Sequence, residues 1–227
     1  MKVMHALTVD NLVFGCKGDH LEILLIRHGD GYSIGQWGLP GDWLLDHETL
    51  SQAAARVLLD KTGLSDIYLE QLRTFSDLDR YPTDRIITTA FISLIAPEAY
   101  ELVVGAYQLD VKWFPVSDIP KLIFDHEAIL EAGIVHLKHK VCHEPIGFNL
   151  LPEKFSLLEL QTLYEAILGV SLDKPNFRRK MKKMNLLITC NEKQSGVLTE
   201  QLLCTVSIKN ATFSSKSKAL FLRFNNC

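Results

Sequence analysis

An α+β fold in two parts follows from three features of this sequence: strand-like runs that bracket a clear helix in the first half, two well-capped helices in the second, and a charge that changes sign between them. Residues 1–150 hold 12 Lys and Arg against 21 Asp and Glu, a net charge of −9, whereas residues 151–227 hold 12 against 6, a net charge of +6. A basic segment on an acidic body suggests a domain that meets a polyanion, although a solvated charged surface gives the same count. The boundary falls in the Pro- and Gly-broken stretch 141–155, so we read residues 1–143 and 144–227 as the two domains.

The elements follow in order. Met4–Phe14 and Leu21–His28 are apolar or alternating runs, and Gly15-Cys16-Lys17-Gly18-Asp19 between them is turn chemistry, which predicts a hairpin. From Thr49 to Thr62 the apolar residues Leu50, Ala53, Ala54, Val57 and Leu58 keep helical spacing, and Gly63 supplies the stop. Ile67–Phe75, Arg85–Ile95 and Val111–Phe114 read as strands, and a second helix is predicted from about Asp125 to Lys140. Beyond the junction, Ser156 and Glu159 form a capping box ahead of Leu160, Leu163, Tyr164 and Ile167, and Gly169 closes that helix. Asp173 then caps a helix in which Phe177, Met181 and Met184 recur at i, i+4 and i+7, leaving Arg178, Arg179, Lys180, Lys182 and Lys183 on the other faces. The tail is strand-like at Leu186–Thr189, Leu202–Ile208 and Leu220–Phe224, which suits a β-hairpin wing on a helix-turn-helix.

Composition narrows the function classes. No apolar run reaches the roughly 18 residues of a membrane span, and Asp10 interrupts the N-terminus before a signal-peptide core is built, so a cytoplasmic protein is expected. The five cysteines are scattered without a Cys-x-x-Cys pair, which favours reduced thiols and gives no zinc motif. No metal and no cofactor is expected.

Leu39-Pro40-Gly41-Asp42, then Glu48, Arg56, Gly63 and Leu64, resembles the Nudix box: glycine, five residues, Glu, seven residues, Arg-Glu, an aliphatic residue, any residue, Glu-Glu, any residue, glycine and an aliphatic residue. The resemblance implies an N-terminal α/β/α sandwich with a mixed sheet. In active members the glutamates of the helix hold Mg²⁺ against a diphosphate. Here those places read Val57, Asp60 and Lys61, and Asp42 replaces the first glycine. Two like charges at about 4 Å repel by on the order of 4 kcal/mol at an effective dielectric of 20, so Lys61 opposes a metal. A noncatalytic pocket is therefore expected, with Arg27, Glu48, Arg56 and Arg80 as candidate effector residues. Arg27 and Arg80 suit a phosphate or acidic ligand, and Glu48 and Arg56 suit an ion pair tying loop to helix. The alternative is a Mg²⁺-dependent hydrolase of nucleoside diphosphate derivatives that uses Glu48 and Asp60.

The second half carries its own resemblance. Trp113-Phe114-Pro115-Val116, Phe124-Asp125-His126, residues 144–152 (EPIGFNLLP), residues 155–161 (FSLLELQ) and residues 173–180 (DKPNFRRK) are similar to the Nudix-related transcriptional regulators of the NrtR type. That likeness implies a homodimer that binds palindromic double-stranded DNA through a winged helix and senses a small molecule, a pentose sugar or an ADP-ribose-like metabolite, in its Nudix domain. The candidate DNA-binding residues are Lys174, Asn176, Arg178, Arg179, Lys182 and Lys183 on the basic helix, with Lys216 and Lys218 from the wing. Cations suit phosphates, and Asn176 suits an adenine edge. A membrane-surface helix is the weaker alternative, because packing of the helix pair consumes the narrow apolar edge.

Overall fold

The computed structural model describes residues 6–144, 146, 150–152, 154–184, 187–193 and 201–205. The chain divides into two compact units, Met1–Lys17 with Leu21–His136, and Gly18–His20 with Leu137–Cys227.

The first unit is built on β1 (Leu7–Lys17), in which every residue from Val9 to Gly15 is buried. A strand so covered must have a layer on each face, and the period of two shows which residues meet which layer. Val9 packs with Ala53, Ala54 and Val57 of α1 (Leu50–Thr62), and Asn11 Nδ2 donates to the Ala54 carbonyl at 3.1 Å. On the opposite face, Leu12 and Phe14 press on Gly133 of α2 (His126–His143), where an added Cβ would stand 3.0 Å from Leu12. The result is the expected α/β/α sandwich.

Its sheet is mixed. β1 runs parallel to β6 (Ile87–Ile95) in register from Leu7 with Ile87 to Gly15 with Ile95. The other strands are β2 (His20–His28), β3 (Trp37–Gly38), β4 (Gly41–Trp43), β5 (Glu70–Phe75) and β7 (Gln108–Pro115). β2 lies beside β1, with β3 and β7 pairing β2 antiparallel, β5 pairing β6 antiparallel and β4 pairing the start of β1 antiparallel.

The hairpin turn is only Gly18-Asp19, with Gly18 at φ 61°, and not the whole of 15–19. Gly15 and Cys16 instead extend β1 because the strand is still covered there. Pro97 and Trp113 close over Gly15, where a side chain would collide with them. β5 begins three residues later than expected, since Ile67 and Leu69 pack on the core without pairing.

α1 stops at Gly63 as expected and starts one residue later than expected, because Thr49 is its N-cap. Thr49 and Gln52 form a capping box, and Gly63 follows at φ 77° with its N–H on the Leu59 carbonyl. Full burial of Val57 and Leu58 on this helix contributes about 1.5–3 kcal/mol each.

In the second unit, β8 (Lys154–Phe155), β9 (Leu187–Lys193) and β10 (Gln201–Thr205) form a sheet in the order β8-β10-β9, with both pairings antiparallel. With α3 (Leu157–Leu168) and α4 (Lys174–Met184) they make a winged helix. β8 is too short to be read from periodicity. The expected strand Leu220–Phe224 lies outside the described residues. Cys142 is disulfide-bonded, which departs from the expectation of reduced thiols. Separation in sequence does not prevent two cysteines from meeting in space. No described helix is long and apolar enough to cross a membrane.

Candidate effector cleft and nucleic-acid interface

Gly41 pairs with Asp10 across β4 and β1, so closely that a side chain at Gly41 would collide with the Asp10 carboxylate. Asp10 is buried, accepts a 2.7 Å hydrogen bond from Thr88 and begins a polar cluster on the α2 side of the sheet. Arg80 donates two bonds to Asp125 at 2.8 and 2.9 Å and lies 3.8 Å from Asp10. His126, the first residue of α2, accepts the Leu39 N–H on Nδ1 at 2.9 Å, which puts the proton of the neutral ring on Nε2, 3.7 Å from Asp10. Burial lowers its pKa against the opposing pull of Asp10 and Asp125, so the ring is neutral at pH 7.

Asp10, Arg80 and His126 of this cluster line a cleft of about 350 Å³. His28 enters it from the end of β2, and burial, with His126 and Lys61 nearby, lowers its pKa to about 4. Its rim is aromatic: Tyr32, Trp43, Tyr81, Tyr107 and Phe124 line it. Tyr32, Trp43 and Tyr107 stand largely exposed, and Tyr81 meets Phe124 at 4.6 Å between ring centroids. Tyr107 and Phe124 have left-handed backbones, φ 65° and 51°, a strained conformation for bulky residues that is retained here at two cleft positions. Exposed rings around a polar floor suit a flat heterocycle joined to a polar tail.

The expected effector residues divide. Arg80 lines the cleft but is buried and bound to carboxylates, not an exposed arginine. Arg27 is exposed, donates to the Gly35 carbonyl at 2.9 Å and is not among the cleft residues. Glu48 and Arg56 form the ion pair expected of them, at 2.8 and 2.6 Å, and also lie outside the cleft lining. Glu48 accepts the Leu45 N–H as well, and Arg56 donates to the Trp43 carbonyl, so the pair fastens the loop 43–48 to α1. That Arg56 hydrogen bond lowers the Glu48 pKa to about 2.

The remaining box positions do not fit Mg²⁺. Val57 is fully buried, Asp60 faces Arg56 at 3.6 Å, and the Lys61 ammonium meets Asp42 at 2.8 Å. Among the described residues no group of three or more His, Cys, Asp or Glu could hold a metal ion. The sequence reading missed Asp10, His28, His126 and the aromatic rim. A lone acid inside an apolar strand, Val9-Asp10-Asn11-Leu12, was the available signal for the first of these.

The second candidate site is α4. The capping box of Ser156 and Glu159 starts α3, and Gly169 at φ 70° ends it. Gln161 and Glu165 then hold the connecting turn: Gln161 Nε2 donates to the Leu172 carbonyl at 2.9 Å, and the Leu172 N–H donates to Glu165 at 2.7 Å. Asp173 accepts the Asn176 N–H at 3.0 Å and caps α4. Phe177 and Met181 are buried, Phe177 against the Tyr164 ring of α3 at 5.6 Å between ring centroids. Lys174, Arg178, Arg179, Lys182 and Lys183 are exposed, while Lys180 is half-buried. Asn176 accepts a 2.6 Å hydrogen bond from Arg179, so its oxygen is engaged within the helix. Lys216 and Lys218 lie outside the described residues.

Comparison with known proteins accords with both halves. Residues 4–132 match the NUDIX domain, and residues 147–199 match the NrtR DNA-binding winged helix domain. The chain is 34% identical to the ADPR responsive transcriptional repressor NtrR of Acinetobacter baylyi, over 77% of this chain and 71% of that one. It is 32% identical to an ADP-ribose pyrophosphatase of Methanocaldococcus jannaschii, over 48% of this chain and 64% of that one. Among solved structures, Shewanella oneidensis NrtR complexed with a 27mer DNA superposes with a TM-score of 0.76 at 28% identity, covering 96% of this chain and 97% of that one. The NUDIX domain of the same protein complexed with ADP ribose superposes with a TM-score of 0.55 at 30% identity, covering 60% of this chain and 90% of that one. With two thirds of a close relative covered and both domain models matched in order, the chain belongs to the NUDIX family and carries an NrtR-type DNA-binding winged helix behind its NUDIX domain.

Proposed function

We propose that this protein is a transcriptional regulator that binds palindromic operator DNA as a homodimer through α4, and that an ADP-ribose-like metabolite, held uncut in the NUDIX cleft, releases it. The observation that carries the reading is the exposed face of α4, where Lys174, Arg178, Arg179, Lys182 and Lys183 stand opposite the buried Phe177 and Met181, with Phe177 against Tyr164 of α3. A helix so seated presents a row of exposed cations within reach of phosphates. The relatives support the same reading, one named as ADPR responsive and one crystallised with DNA. Such a protein works in the cytoplasm, beside the DNA it regulates.

Selection of bound sequences from a random duplex pool tests it. A palindrome with half-sites about one helical turn apart is expected of a twofold dimer. A pool that remains random after selection sinks the proposal.

Hydrolysis is the second reading, and the likeness to an ADP-ribose pyrophosphatase favours it. Against it stand the buried Val57 and the Lys61–Asp42 pair, which leave Mg²⁺ without its carboxylates. Incubation with ADP-ribose and Mg²⁺ separates the two: intact nucleotide is expected, and accumulating AMP would establish the hydrolase.

A further inference from the structure

The cleft is lined by three acids, Asp10, Asp30 and Asp42, and by two fixed cations, Lys61 and Arg80. The cations are not equivalent. Arg80 has a side chain 4% exposed, held by Asp125 with Asp10 close behind, and an anion that displaced Asp125 would leave that half-buried carboxylate without its cation. His28 and His126 are kept uncharged near neutral pH by burial. Lys61 is paired with Asp42 at 2.8 Å, and Asp42 is itself 34% exposed, so its carboxylate can turn to water when displaced. The backbone that carries Lys61 is fixed as well. Val103 and Gly105 donate to the Thr62 and Lys61 carbonyls at 2.9 and 3.3 Å, fastening the last turn of α1.

We propose that Lys61 is the phosphate-binding residue of the cleft, and that Asp42 is a built-in competitor occupying it until a diphosphate-bearing nucleotide arrives. The inference rests on the effector reading above and narrows it, since a neutral pentose has nothing with which to displace Asp42. Both residues stand at positions where the Nudix box has something else, Asp42 for glycine and Lys61 for glutamate. An ammonium neutralises a diphosphate as a metal would, yet it has no coordination position in which to activate water. One substitution thus retains the ligand and omits the cleavage.

Calorimetric titration of the full chain with ADP-ribose, and separately with ribose, tests the idea. D42N keeps the side-chain shape and should bind ADP-ribose roughly two- to fivefold more tightly, the scale of one partly exposed charge pair. K61Q should bind it at least about tenfold more weakly. The double variant should be no tighter than K61Q, because Asp42 acts only through Lys61. K61R, which keeps the charge, serves if K61Q fails to fold. Unchanged affinity in K61Q, or in D42N, would overturn the proposal, as would a double variant that keeps the whole D42N gain. So would ribose binding without ADP-ribose binding in both wild type and D42N. Operator binding by the ligand-free chain, measured in parallel, reports on the regulator reading alone: its loss beside the predicted affinities refutes the regulator and leaves this site standing.

Discussion

At the scale of single residues, the positions that decide the chemistry were legible as types but not as places. The sequence shows that Val57, Asp60 and Lys61 are wrong for Mg²⁺, but not that Val57 is fully buried on β1 or that Lys61 reaches Asp42. Burial has a consequence for reversion. Val57→Glu would put a carboxylate into an apolar contact with Ala53 and Phe91 and should destabilise the fold by more than about 2 kcal/mol without creating Mg²⁺-dependent turnover. Chemical denaturation and a nucleotide assay check this, and a stable, active variant would refute it. Glu48 offers a pH test. Its carboxyl is lowered from 4.5 to about 2 by Arg56, so the pair stabilises the folded chain above pH 4.5 and ceases to do so as pH falls toward 2. The gap in melting temperature between wild type and Glu48→Gln should therefore be full at neutral pH and shrink steadily below 4.5. A gap that stays constant would show that the pair is not the cause.

At the scale of elements, caps were the most legible features and short strands the least. Gly63, Ser156 and Gly169 all end helices where their chemistry requires, because capping depends on groups within a few residues of one another, whereas Thr49, read as the first helical residue, is the N-cap. β3, β4 and β8 span two or three residues each and exist only through partners distant in sequence, as Gly41 depends on Asp10. The parallel pairing of β1 with β6 was invisible for the same reason. Ser156→Ala should lower the stability of the winged helix by about 1 kcal/mol, seen as an earlier unfolding transition. An unchanged transition would mean that the capping box is ornamental. Arg178→Ala with Arg179→Ala should instead leave the chain folded and weaken operator binding by at least about tenfold, since both exposed side chains stand where phosphates would be met. Loss of stability in place of binding would assign these arginines to the fold.

At the scale of the whole molecule, the division of charge anticipated the division of labour. The acidic body carries the cleft and the basic tail carries α4, and residue counts alone separate them. Operator affinity should fall by about 0.9 log units per log unit of salt for each phosphate neutralised, and a flat response would contradict α4 as the contact. The central claim is that one chain grips DNA with α4 and is released by a nucleotide it does not cleave. It is tested most directly by titrating the protein–operator complex with ADP-ribose in the presence of Mg²⁺, following DNA release by fluorescence anisotropy and then assaying the recovered nucleotide. The account predicts release with ADP-ribose recovered intact. Bound DNA that ignores the nucleotide, or release accompanied by stoichiometric AMP, would contradict it.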